Sequence, residues 1–159
     1  MGQTGPTNRN AIGDIVTTIE LTEAQSLVLV GQALVGRIVT TVDGSPQIHP
    51  VSHTVIEGAI YFRTLPGDKL LGITVNASVL FEADAVVDGT AWSVVVHGLA
   101  RRIDEEPEVM SKIASQLREP FTGGDPDAVV RIVPQSVNGR LFPPSPGPDG
   151  SDPRQDERR

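Results

Sequence analysis

Cysteine is absent from the 159 residues, so disulfides, thiolate metal sites and thiol nucleophiles are excluded. Lysine is nearly absent, with Lys69 and Lys112 its only occurrences. Against 20 Asp and Glu there are 13 Lys and Arg, a formal charge of −7. A broad nucleic-acid surface, which needs clustered cations against phosphate, is therefore not expected. Aromatic residues make up 4% of the chain, with Trp92 the one tryptophan. No apolar run approaches the ~20 residues of a membrane span. The stretch Met1 to Asn10 lacks the apolar segment of a secretory signal, and a cytoplasmic protein is expected.

What is present is globular in character: 38% hydrophobic and 21% charged residues, in a length that fits one domain with a real core. Glycine (16) and proline (13) are unevenly placed. The end, PPSPGPDGSDPRQDERR from Pro143, offers almost nothing apolar to offset the entropy of ordering it, and a disordered tail is expected over 143–159. Residues 1–12 read as a flexible start, leaving 13–142 as the folded unit.

Within that unit, Leu21 to Leu34 reads as a helix. Thr22 and Gln25 form a capping box, and apolar residues recur at 24, 27, 28, 31, 34 and 35, with Gly36 as the stop. Arg37–Val42, Gln47–Val55 and Ala59–Arg63 are rich in β-formers and separated by Asp43-Gly44 and Glu57-Gly58, which predicts a three-stranded antiparallel meander. Pro50 inside the second run marks an edge, a bulge or a ligand-facing position. Pro66-Gly67-Asp68 opens a short helix to about Val75. Val79–Ala83 and Trp92–Arg102 follow as strands, Gly98 marking a bulge or barrel corner. Pro107 starts an amphipathic helix over Glu108–Leu117, and a last strand, Val129–Val133, stops at Pro134. Six short strands with few helices argue for an antiparallel barrel or curled sheet rather than alternating βαβ units.

Three features bear on chemistry. Arg63 and Thr64 end a strand, a Pro-Gly turn follows, and Lys69 sits in the first turn of a helix. Two cations, a hydroxyl and free helix N-terminal N–H groups suit a phosphate, although an ordinary strand–helix connection with solvated charges has the same composition. His49-Pro50-Val51-Ser52-His53 puts two histidines on one strand face. With His97 they are candidates for a zinc or haem site, but four residues of strand separate them by ~13 Å, too far for one metal without a bulge. Trp92-Ser93 opens the long strand, where the indole either caps the core or lies beside a flat heterocycle. Asp104-Glu105-Glu106 reads as a solvated helix start. No nucleophile elbow, phosphate-binding P-loop or dinucleotide-binding glycine motif occurs.

In order and spacing, Gly36-Arg37-Ile38-Val39-Thr40, Asp43-Gly44-Ser45-Pro46, His49-Pro50-Val51, Ile60-Tyr61-Phe62-Arg63-Thr64, Gly67-Asp68-Lys69-Leu70, Val79-Leu80-Phe81-Glu82, Trp92-Ser93-Val94-Val95-Val96-His97-Gly98 and Arg131-Ile132-Val133-Pro134 to Arg140 resemble the pyridoxamine 5'-phosphate oxidase-like flavin-binding split barrels over about residues 20–142. The resemblance implies a mostly β fold, a six-stranded antiparallel Greek-key split barrel with flanking helices, paired as a homodimer with cofactor sites at the interface. It implies that His49, Pro50, Val51 and Ser52 run along the ring of FMN. Arg63, Thr64 and Lys69, with Leu70 beside them, would hold its ribityl chain and phosphate, and Trp92 and Ser93 would approach from the partner subunit. Members often carry Arg where this chain has His97, so the position receives no role. The implied activity is that of a flavin-dependent oxidoreductase transferring hydride to or from a small molecule, with no catalytic side chain named. Alternatives within the resemblance are a reductase using the deazaflavin coenzyme F-420, and a non-enzymatic flavin- or haem-binding module.

Overall fold

The computed structural model describes residues 17–121, 123 and 127–144. The expected flexible start, and the expected tail beyond residue 144, lie outside the described residues. Seven strands and three helices follow in the order β1 (Ile19–Leu21), α1 (Glu23–Gln32), β2 (Val35–Val42), β3 (Ser45–Ile56), β4 (Ala59–Thr64), α2 (Asp68–Val75), β5 (Ser78–Val87), β6 (Thr90–Arg102), α3 (Pro107–Ile113) and β7 (Ala128–Phe142), with a 3-10 turn, Ala114–Gln116, after α3.

Six strands close a ring. The antiparallel meander β2-β3-β4 and the antiparallel set β5-β6-β7 are joined by β2–β5 on one side and β4–β7 on the other. The expected split barrel is thus observed, with the short β1 added against Gly139–Leu141 of β7. The three hairpin turns share one geometry. Asp43-Gly44, Glu57-Gly58 and Asp88-Gly89 all have positive φ at both residues, the type I′ form whose twist matches paired strands. Along β5 and β6 alternate residues face inward, and Val79, Phe81, Ala83, Trp92, Val94 and Val96 meet Ile38, Ile60, Phe62, Val130 and Ile132 in the core.

Several sequence expectations need correction. Gly36 does not stop the first helix: α1 ends at Gln32 with Ala33 extended, and Gly36 lies inside β2. The buried face of α1 is Ser26 and Val30 rather than the apolar stripe, and Val28 and Leu34 are 60% and 70% exposed. Ser26 can be buried because its hydroxyl donates to Thr22 O at 2.8 Å, and Gly139 leaves it room. The last strand continues eight residues past Pro134, to Phe142. Pro134 is tolerated because the β6–β7 register slips there, Gly98 pairing with Pro134 and His97 with Ser136, so the missing N–H falls at a bulge. Finally, Asp104 and Glu106 are paired rather than solvated. Asp104 takes Arg102 Nε at 2.7 Å and Val129 N–H at 3.1 Å, and Glu106 takes Arg101. The capping box of α1 is as expected, with Gln25 N–H donating to Thr22 Oγ1 (3.2 Å) and Thr22 N–H to Gln25 Oε1 (2.9 Å).

Candidate functional site

Strand β3 pairs with β2 along Ser45–Ser52 but with β4 only from His53 onward. Between those limits one edge of β3 has no strand neighbour among the described residues, and this is where the ring is split. A cavity of about 320 Å³ opens along it, lined by His49–Ser52 of β3, Arg63 and Thr64 at the end of β4, the Leu65–Gly67 turn, Lys69 of α2, and Pro120 and Phe121. Pro50, which has no N–H to lend a ladder, sits at this split.

The turn between β4 and α2 sets the electrostatics. Gly67 caps α2 without a side-chain hydrogen bond, and the first backbone acceptor used inside the helix is its own carbonyl, from Leu71 N–H at 3.1 Å. The N–H groups ahead of Leu71 have no intrahelical partner. Lys69 has no carboxylate partner among the described residues, and burial holds its pKa below the ordinary lysine value. Arg63 is three-quarters buried; among the described residues its one ion pair is with Glu119, at 3.5 Å, and its buried Nε has no hydrogen-bond partner. Thr64 is buried, its hydroxyl donating to Leu65 O at 3.1 Å. Among the described side chains, the cavity thus brings two cations, Arg63 and Lys69, together, with the Glu119 carboxylate at the edge of hydrogen-bond reach of Arg63. That excess of unsatisfied positive donors fits an anion with several oxygens.

Seven of the ten residues singled out from sequence, His49, Pro50, Val51, Ser52, Arg63, Thr64 and Lys69, line this one cavity. Three do not. Leu70 lies on the other side of α2, in a more apolar depression with Ile73, Leu99 and Val133. Trp92 is 6% exposed within the barrel's own core, and Ser93 pairs across the sheet with Asp84 and Arg140. His53 also turns away from the cavity. Its Nε2–H donates to Val30 O at 2.6 Å, its ring stands edge-on to Phe81, and it is fully buried. Burial first, and the nearby Arg118 charge second, push its pKa down against the opposing hydrogen bond to Val30. A neutral imidazole donating Nε2–H to a carbonyl has committed that nitrogen and cannot ligate a metal or haem through it.

Sequence reading missed the third wall, Pro120-Phe121, and Glu119 just before it. Its signal would have been an acidic residue and a Pro-aromatic pair just after the last helix, but nothing local ties Glu119 to Arg63, 56 positions away. The tie is tertiary: Thr54 Oγ1 donates to Gln116 O (3.1 Å), and Arg118 donates to Ala33 O (2.6 Å) and Gly31 O (2.9 Å) at the end of α1.

The family profile of pyridoxamine 5'-phosphate oxidase matches residues 22–141, the whole ring and its helices. The chain belongs to this family. Proteins of similar sequence include an uncharacterized protein of Mycobacterium tuberculosis, 33% identical over 129 residues, covering 76% of this chain and 83% of the relative. Among solved structures, a pyridoxamine 5'-phosphate oxidase-like protein of Corynebacterium glutamicum is 37% identical with a TM-score of 0.70, covering 80% of this chain and 95% of that one. The FAD binding protein of Mycobacterium smegmatis is 34% identical with a TM-score of 0.64, covering 77% and 97%. As a pyridoxamine 5'-phosphate oxidase family member, the chain carries its cationic turn and split strand edge in a barrel shared with a flavin-binding neighbour. Among the described residues no helix is long and apolar enough to cross a membrane.

Proposed function

We propose that this protein binds a flavin, FMN in the first instance, in the cavity along β3, and uses it as an oxidoreductase on a small molecule. The observation that carries the reading is the convergence of Arg63, Thr64, Lys69 and the start of α2 on one end of a cavity whose other wall is β3, where β4 no longer pairs with it. The cationic end holds the phosphate. On the side of β3 turned away from β2, backbone groups of Pro50–Ser52 face the cavity and are available to the polar edge of a planar ring, and Phe121 and Leu65 supply exposed apolar surface at the mouth. A flavin held there supplies hydride chemistry of its own, so the protein's part is to bind, orient and desolvate it. Its reaction partner is a small molecule reaching the open side of the ring.

A second reading, FAD in place of FMN, is favoured by the likeness to the Mycobacterium smegmatis FAD binding protein. FAD would use the same cationic turn for its pyrophosphate. A homodimer, common in the family, would bring Ser93, half-buried beside Trp92, toward a neighbouring protomer's cavity.

The deciding experiment is an absorbance spectrum and mass measurement of the small molecule that copurifies, followed by titration with FMN, FAD and coenzyme F-420. Flavin bands and micromolar or tighter FMN binding are expected. A Soret band without flavin, or no binding of any of the three, overturns the reading.

A further inference from the structure

The Arg63–Glu119 pair is unequal. The Arg63 side chain is 25% exposed and fixed at the end of a strand, whereas that of Glu119 is 76% exposed. Their single contact, Nη1 to Oε1 at 3.5 Å, lies at the far limit of a hydrogen bond, and the buried Arg63 Nε has no partner among the described residues. Glu119 thus engages one corner of a guanidinium that could serve a bidentate acceptor. A carboxylate that is already largely hydrated loses little on leaving, while a partly buried guanidinium needs a counter-anion to stay where it is. At the same time Glu119 cannot withdraw far. The preceding Arg118 is anchored on the carbonyls of Gly31 and Ala33, Gln116 on Thr54, and Pro120 stiffens the next step toward Phe121.

We infer that Glu119 is an exchangeable internal anion for Arg63: it holds the guanidinium in the ligand-free cavity and is displaced by the phosphate group of an incoming ligand, with which it competes. This deepens the flavin reading and rests on it for the identity of the ligand. It makes Glu119 a specificity-determining residue. Its competition falls only on ligands that bring their own oxyanion to Arg63, and a ligand lacking one leaves the pair intact.

The test measures binding of FMN, riboflavin and inorganic phosphate to the full chain carrying Glu119, Glu119→Gln, Arg63→Gln or both changes, by calorimetry and by ligand-induced shift of the melting temperature. Glu119→Gln, at an exposed position, is expected to fold as the parent does. It should bind FMN and inorganic phosphate about two- to fivefold more tightly, the range of an exposed ion pair, and riboflavin unchanged. In the Arg63→Gln background the gain should vanish. Weaker or unchanged phosphate binding in Glu119→Gln, an equal gain for riboflavin, or no phosphate binding to either protein overturns the inference. Failure of the flavin reading looks different: FMN and riboflavin then fail to bind the parent chain, while the phosphate comparison still reports on Glu119.

Discussion

A Cβ atom built on Gly36 of β2 would stand 2.1 Å from Cζ of Phe81 on β5. The ring of Phe81 lies between this backbone and the imidazole of His53, whose centroid is 4.9 Å away at 70°. One glycine therefore permits the seam where the two halves of the barrel join. Gly36→Ala should destabilise by about 1–3 kcal/mol through overpacking, since Phe81 has a buried neighbour on its other side. Urea unfolding followed by tryptophan fluorescence measures it, and a change below 0.5 kcal/mol (about the ordinary effect of a surface substitution) would mean the seam is soft.

His53 makes stability sensitive to mild acid. Its pKa in the folded chain is below the value of about 6.5 expected when unfolded. The unfolded chain therefore takes up the proton first, so the contribution of neutral His53 is complete above that value and declines as pH falls below it. Asp104 acts in a separate window. Held low chiefly by its hydrogen bond to Arg102, its contribution is lost only beneath the ordinary carboxylate value of about 3.9. Unfolding free energy should fall between pH 7 and 5 in the parent, and this slope should flatten in His53→Gln. Equal slopes would remove His53 as the cause.

Lys69 should show itself in ligand binding. If the phosphate of FMN sits beside it, Lys69→Ala weakens FMN binding by about 1.5–3 kcal/mol, the range for hydrogen bonds to charged groups. Because burial lowers its pKa, the ammonium is lost as pH rises through a value below the usual ~10.4, and FMN affinity should decline before that point. Lys69→Arg, which stays charged, should hold its affinity between pH 7.5 and 9.5. A pH profile shared by all three proteins would place Lys69 away from the phosphate.

Arg118 is expected to be worth more than its surface position implies. Its two hydrogen bonds satisfy carbonyls at the end of α1 and fix the segment that walls the cavity. Arg118→Met should cost about 1.5–3 kcal/mol and raise hydrogen exchange in both α1 and residues 114–121. Faster exchange in only one of the two segments would show that they are not coupled through this side chain.

Much of this architecture could be read from residues because it is written locally. Asp43-Gly44 and Glu57-Gly58 announce their turns, Thr22 and Gln25 their cap, and Gly98 its bulge. The seven residues that line the cavity came from two short stretches whose chemistry is compact in sequence. What escaped is what only packing decides. The fourth strand, expected over Val79–Ala83, runs on to Val87, up to Asp88-Gly89, the same turn signal met twice before. Pro134 ended the last strand on paper, since a bulge that accommodates a proline depends on the partner strand. Ser26 entered the core in place of larger neighbours because a glycine far along the chain lies beneath it. Glu119 and Arg118 were invisible for the same reason, their partners being 56 and 85 or more positions away.

The unpaired margin of β3 carries a further consequence. Bare ladder groups are ordinarily a template onto which another chain can add, and closed barrels avoid self-association by having none. Here a few residues of such a template remain, but Pro50 interrupts the row and the walls formed by α2 and Phe121 stand over it. Pro50 and these walls leave room for a small guest along the cavity while hindering the addition of an extended strand to this edge.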